Sequence, residues 1–425
     1  MKRNLFLKFL QRIFWAFQIA LVITVLITIV SPVKAAPLAQ EPAPTPSAEE
    51  TLAAPAQPSD VIPPMETENP EPTPVPTEPP LEPIIIPTDI PVEPPSAGLT
   101  NTSPNISTSS DGTVSINYVK PITLYARNTY EPYILPSTLR LGAPKVAPII
   151  ITYRSAGQVN ALGDTCIAFP TLAKNAFMYA ASQWRSRLTS AVTISIEACW
   201  ANLPSGVLGH SATMGYSANF PGAPRTNTWY PRPLADKLRG TNINPGQFDI
   251  SIAYANGFSS QFYYASSGSP GTKYDFIEIV MHEITHGLGF AGSMRYSSSK
   301  GSWGYSDGIH LYPTIYDRFT IDSLNRYLIN TSIYPNPSIA LGTKLRSNAI
   351  YFYGPYARAA NSGLRVALYA PGTWAPGSSY AHLAESFNTT TSKMMTYSIP
   401  RGEAVHDPGP VTKGILRDEG WGIVY

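Results

Sequence analysis

The sequence predicts a mixed α/β domain, and three observations carry that expectation. From about residue 147 onward, β-branched runs of strand type interleave with amphipathic helical stretches. That segment, roughly 280 residues without an internal repeat, has the size of one catalytic domain. The chain before it has a different composition, so the modest net charge of +2 sums unlike parts. With 43% apolar and 14% charged residues the chain is not wholly disordered, and two cysteines exclude a disulfide-framework miniprotein.

The N-terminal 36 residues carry five basic and no acidic side chains. Lys2, Arg3, Lys8 and Arg12 precede an apolar run over 13–30, and Val33-Lys34-Ala35-Ala36 follows, the pattern of an export signal with a small-residue cleavage site. The run is also just long enough to serve as an uncleaved anchor. Either way the rest of the chain is expected to be secreted or held at the cell surface, with membrane contact only through this segment if it stays uncleaved. Residues 37–98 hold eleven acidic and no basic side chains, and 19 prolines fall between 37 and 95. Proline fixes φ and lacks an N–H, so we read 37–110 as a solvated, disordered Pro/Thr/Glu-rich linker. Residues 111–146 are Tyr-rich and extended in character: a transition, a pro-segment or a first strand. The remaining charge, +8, is diffuse and forms no Lys/Arg run longer than two, which argues against a nucleic-acid partner.

Within 147–425 the pattern predicts a strand over 148–153 (PIIITY) and half-buried strands over 192–198 and 248–254. Ala173, Phe177, Ala180, Ala181, Trp184 and Leu188 recur at three-to-four spacing and predict a helix over 172–188. A second helix begins near Asp275, where Asp275 and Glu278 make a capping-box-like start, and a last helix spans 410–418 before Gly420-Trp421. Cys166 and Cys199, a lone pair in an exported chain, are expected to form a disulfide.

Chemistry concentrates in His282-Glu283-Ile284-Thr285-His286. Residues four apart on a helix share a face, so the two imidazoles can bind one small cation while Glu283 acts as general base on a water. Catalytic zinc needs a third protein ligand. Gly289 fits an H-x-x-G-x-x-H continuation, but the position that should carry the third His is Gly292. Four candidates remain: His310, Asp317, Glu403 and His382. Pro408 and Pro410 argue against a helical Glu403 ligand. His382 is followed a dozen residues later by Met394-Met395-Thr396-Tyr397. His210 and His406 read as ordinary loop or core residues.

The succession HEITHGLGF, a long insertion, SSYAHLAE, KMMT and PGPVTKGILRDEGW resembles the leishmanolysin-like branch of the metzincin metallopeptidases. The resemblance covers about 147–425. It implies a twisted mixed sheet packed on an active-site helix and a C-terminal helix. It also implies a Zn2+ cofactor held by His282, His286 and His382, with Glu283 as catalytic base and Met395 in a Met turn beneath the metal. Tyr397 falls where some metzincins keep a tyrosine that swings toward the metal, although a core or cleft-wall role is the commoner use of a tyrosine. The family's multiple disulfides are absent, and the insertion matches no motif.

The function these readings predict is a zinc-dependent endopeptidase acting on a protein or peptide substrate. Two alternatives stay open: a catalytically silent binding or adhesion protein on the same fold, and a zinc hydrolase of another amide bond. Asn101, Asn105, Asn330 and Asn388 begin N-x-Ser/Thr sequons.

Overall fold

The computed structural model describes residues 105–118, 120–139 and 146–424. The expected signal segment and nearly all of the expected linker lie outside these residues. Among the described residues no helix is long and apolar enough to cross a membrane.

The chain enters through three strands: β1 (Asn105–Thr108), β2 (Val114–Asn117) and the long β3 (Ile122–Leu135). Next come β4 (Ile149–Tyr153), β5 (Cys166–Ile167), helix α1 (Thr171–Arg185), β6 (Ile194–Ala201), β7 (Val207–Thr213) and β8 (Tyr216–Ala218). β9 (Tyr230–Pro231), α2 (Arg232–Arg239), β10 (Ile250–Ala255) and α3 (Phe276–Leu288) complete the first half. An insertion of short strands and turns includes α4 (Pro355–Ala360), after which β11 (Ser398–Val405) and α5 (Gly409–Glu419) finish the fold.

The main sheet runs in the order β11-β3-β7-β10-β6-β4, with β5 added against β6. β4, β6 and β10 are mutually parallel, β7 is antiparallel to β10, β3 is antiparallel to β7, and β11 is parallel to β3. The sheet is therefore mixed, as the sequence predicts. A second small sheet joins β1, β2, β8 and β9.

Two boundaries differ from expectation. Residues 105–110 belong to strand β1 and its turn, so the linker ends earlier than 110. Residues 122–135 form a strand of the main sheet, so the folded region begins well before 147. The signal is present in β3, where Ile122, Leu124 and Ala126 alternate with polar residues, but Pro132 and the polar run beyond them obscure it.

α3 is the centre of the core. Phe276, Ile277, Ile279, Val280, Met281, Ile284 and Leu288 are all buried, because the helix lies on β7 and β10 on one side and α1 on another. Its start is capped as predicted by Asp275, which accepts the Glu278 amide at 2.8 Å. The reciprocal half of the capping box is missing: Glu278 instead accepts the Val405 amide at 2.9 Å, tying the helix to β11. Trp184 donates its indole N–H to Met281 O (3.2 Å), and Trp421 donates to Leu288 O (2.9 Å), so each satisfies a carbonyl of α3 while filling core volume. α5 packs on α4 and on the Lys393–Met395 turn, and its Val411, Ile415 and Leu416 join the core cluster that holds Ile399 and Val405 of β11. Cys166 and Cys199 form the expected disulfide, closing β5 onto β6.

Candidate metal centre

His282 and His286 sit one turn apart on α3, and both side chains are fully enclosed. Gly289, at φ 135°, ends the helix in a conformation a side chain would strain. A Cβ there would also stand 2.6 Å from Glu419 Oε2. The sharp exit lets Phe290 O turn back to accept from His286 Nδ1 at 2.8 Å. His282 Nδ1 donates to Met394 O at 2.6 Å, and His382 Nδ1 donates to Ser378 O at 2.9 Å. A carbonyl can only accept, so all three rings carry their proton on Nδ1 and turn the Nε2 lone pair inward.

Those three Nε2 atoms converge. His282 and His286 stand 2.9 Å apart, and His382 is 3.2 Å from each. Tetrahedral zinc with Zn–N bonds of about 2.0–2.1 Å would space its nitrogens by about 3.3–3.4 Å, close to the arrangement found. Three lone pairs facing one another with no proton among them form a donor set suited to a cation, and so the residues fit zinc. Burial holds the rings neutral: it pushes His382 down to about 4, and burial together with the neighbouring imidazoles drives His282 and His286 well below the usual range.

Glu283 leans toward β7. Its Oε2 accepts from Ser211 Oγ at 2.6 Å, and Ser211 Oγ also reaches Glu283 O at 2.9 Å. Oε1 is buried with no protein partner. Across from it lies Gly209, whose missing Cβ would stand 3.2 Å from Oε1. Burial pushes the Glu283 carboxyl up to about 8, against the opposing pull of Ser211.

The remaining candidates separate cleanly. His310 lies in an exposed loop beside Asp307 (3.3 Å). Asp317 is a structural hub that accepts from Ser293 N (2.9 Å), Thr314 N (2.8 Å) and Tyr380 Oη (2.9 Å). Glu403 lies on β11, not on a helix, and pairs with Lys393. The third position of the short motif could not hold a histidine, because a Cβ on Gly292 would stand 2.5 Å from Asp317 Oδ1 and 2.9 Å from Tyr316 Cδ1. His210 contacts Asp164 (2.7 Å) and His406 contacts Asp275 (3.0 Å), both as structural pairs.

The Lys393–Met395 turn lies beside the imidazoles, but Met394 rather than Met395 supplies the carbonyl that orients His282. Met395 is fully buried, and its carbonyl accepts the Leu383 amide (2.9 Å), next to His382. Tyr397 stacks on Tyr369 at 4.3 Å and 19°. Sequence reading missed Ser211, Ser378 and Met394. For Ser211 a signal existed: Gly209 and Ser211, small residues on one face of β7, mark where the helix approaches closely.

Neither any known protein family nor any characterised protein or solved structure matches the chain.

Proposed function

We propose that the chain is an exported, zinc-dependent endopeptidase, with His282, His286 and His382 holding the metal and Glu283 as general base. One observation carries the reading. Three inward-facing Nε2 atoms lie within 3.2 Å of one another, and a carboxyl next in sequence has one oxygen without a partner. Zinc bound there would supply Lewis acidity toward a carbonyl and acidify a water at neutral pH. The chain's own groups account for the rest. Met394 O, Phe290 O and Ser378 O fix the ring orientations, and Ser211 pins one oxygen of Glu283. Oε1 remains to take the proton of the attacking water and deliver it to the leaving amine. The fold resemblance to metzincins belongs to the same proposal.

A second reading, the catalytically silent binding protein, is favoured by one fact: the imidazoles and the carboxyl are enclosed, none more than 1% exposed.

Metal analysis and casein digestion decide between them. The peptidase reading expects one zinc per chain, retained in Glu283→Gln and lost in His382→Ala. It also expects chelator-sensitive cleavage that falls by about 10²–10⁴-fold in Glu283→Gln. Cleavage that survives that substitution refutes the assigned base. Zinc held without any cleavage, in the unsubstituted chain and in the strand-releasing Thr123→Pro variant alike, supports the silent protein or a different bond.

A further inference from the structure

The inference drawn here rests on the peptidase reading and concerns its regulation. A peptide bond can be hydrolysed only if substrate backbone reaches Glu283 and the Nε2 cluster, yet both are sealed. Three of the surrounding elements carry the site themselves: α3, β7 with Ser211, and the loop with Ser378 and His382. The start of β3 lies alongside β7 at Ser211 and Gly209 and contributes none of the groups described at the site.

That segment is an extended polypeptide held by both edges. On one edge it pairs antiparallel with β7, Ile122 opposite Ser211 and Leu124 opposite Gly209, the two positions that face Glu283. On the other edge Thr123 N donates to Gly377 O (2.9 Å) and Tyr125 N to Tyr397 O (3.1 Å), in segments that flank His382 and Met395. Ile122 packs with Ala291 and Ala381, the sequence neighbours of Phe290 and His382. Just upstream, Lys120 drives its buried ammonium onto Gly292 O (3.2 Å) and Met294 O (3.0 Å), at the exit from α3. Beyond Leu124 the strand becomes progressively exposed. Backbone pairing on both edges is how one polypeptide strand adds to another, and it is tolerant of sequence.

We propose that residues 120–125 occupy the path of an extended substrate and hold the enzyme latent. Activity then requires this strand to leave its place between β7 and the Gly377–Tyr397 side.

The test uses the full chain. In Thr123→Cys/His210→Cys the two residues stand directly opposite across the β3–β7 ladder, at a position where Thr123 N turns away from β7, so a cross-strand disulfide should lock the strand on oxidation. Zinc removal by a chelator and casein cleavage are both expected to run at least about ten-fold slower in the oxidised than in the mildly reduced form of that protein. In Thr123→Pro, which deletes only the donor to Gly377, both should run about ten-fold faster than in the unsubstituted chain, the effect of losing one buried hydrogen bond. Equal rates in locked and unlocked forms, with zinc bound, overturn the latch and leave the peptidase reading standing. A chain that binds no zinc overturns both. Because the locked variant tightens the fold, a Thr123→Pro protein that fails to fold does not remove the test.

Discussion

Substituting Gly287 by Ala sets two physical effects against each other. Position 287 is inside α3, between the second metal-site histidine and the helix end, where alanine should be favoured over glycine by about 0.8–1 kcal/mol. The opposing effect comes from β10. A Cβ at 287 would stand 2.7 Å from Ile250 Cδ1 and 2.8 Å from Cγ1, and closer still to Cγ2. Carbon atoms rest comfortably at about 3.5–4.0 Å, so about 1 Å of space must open between helix and sheet. Ile250 cannot easily provide it: it is fully buried, and β-branching leaves it few rotamers. Overpacking of this kind costs about 1–3 kcal/mol, which exceeds the propensity gain. We expect Gly287→Ala to lose about 1–2 kcal/mol and to lower the melting temperature by about 3–6 °C. A helix displaced by about 1 Å also exceeds the roughly 0.5 Å tolerance of a preorganised site, so zinc affinity should fall too. Thermal unfolding of the zinc-loaded and stripped protein, with competitive zinc titration, measures both. A variant as stable as the parent, or more so, would refute the packing argument and leave propensity as the governing term.

Other expectations follow from the same contacts. Asp236 accepts from Ile243 N (2.9 Å), and burial, reinforced by nearby Asp249, pushes its carboxyl up to about 7. At low pH folded and unfolded chains both hold this proton. Above about 3.9 the unfolded chain releases it while the folded one keeps it to about 7, so stability falls across that window. Asp236→Asn should therefore stabilise the protein at pH 8 and do little near pH 4; urea midpoints that shift equally at both would count against it. Reducing Cys166–Cys199 opens a loop of 33 residues and should cost about 3–4 kcal/mol, read as a lower urea midpoint with a steeper slope, because the denatured chain becomes less compact.

The sequence disclosed elements whose physics is local. α3 was legible because its apolar period, its Asp275 cap and its Gly289 exit all lie within fifteen residues. The strands β4, β6 and β10 were legible from β-branched runs, each within about three residues of its actual ends. His382 was legible only through family resemblance: nothing local distinguishes it from His310, and its role arises from a fold that spans 96 residues back to His286. Ser211 and the start of β3 were not read for the same reason. Their importance lies in what approaches them from elsewhere in the chain. α2 was overlooked because its eight residues, RPLADKLR, are too few and too charged to declare a period, although Pro233 near its start is a fair signal.

The long separation between His286 and His382 has a mechanical consequence. An ion gripped by both would act as a removable cross-link, closing a loop of nearly a hundred residues that consists mostly of short strands and turns. Such a clasp would confer order on the insertion rather than on the sheet, whose hydrogen-bonded ladders need no ion to persist. Withdrawing such an ion would release the loop that carries Ser378 and Tyr380 from its tie to α3, so that metal content and the order of the insertion would change together.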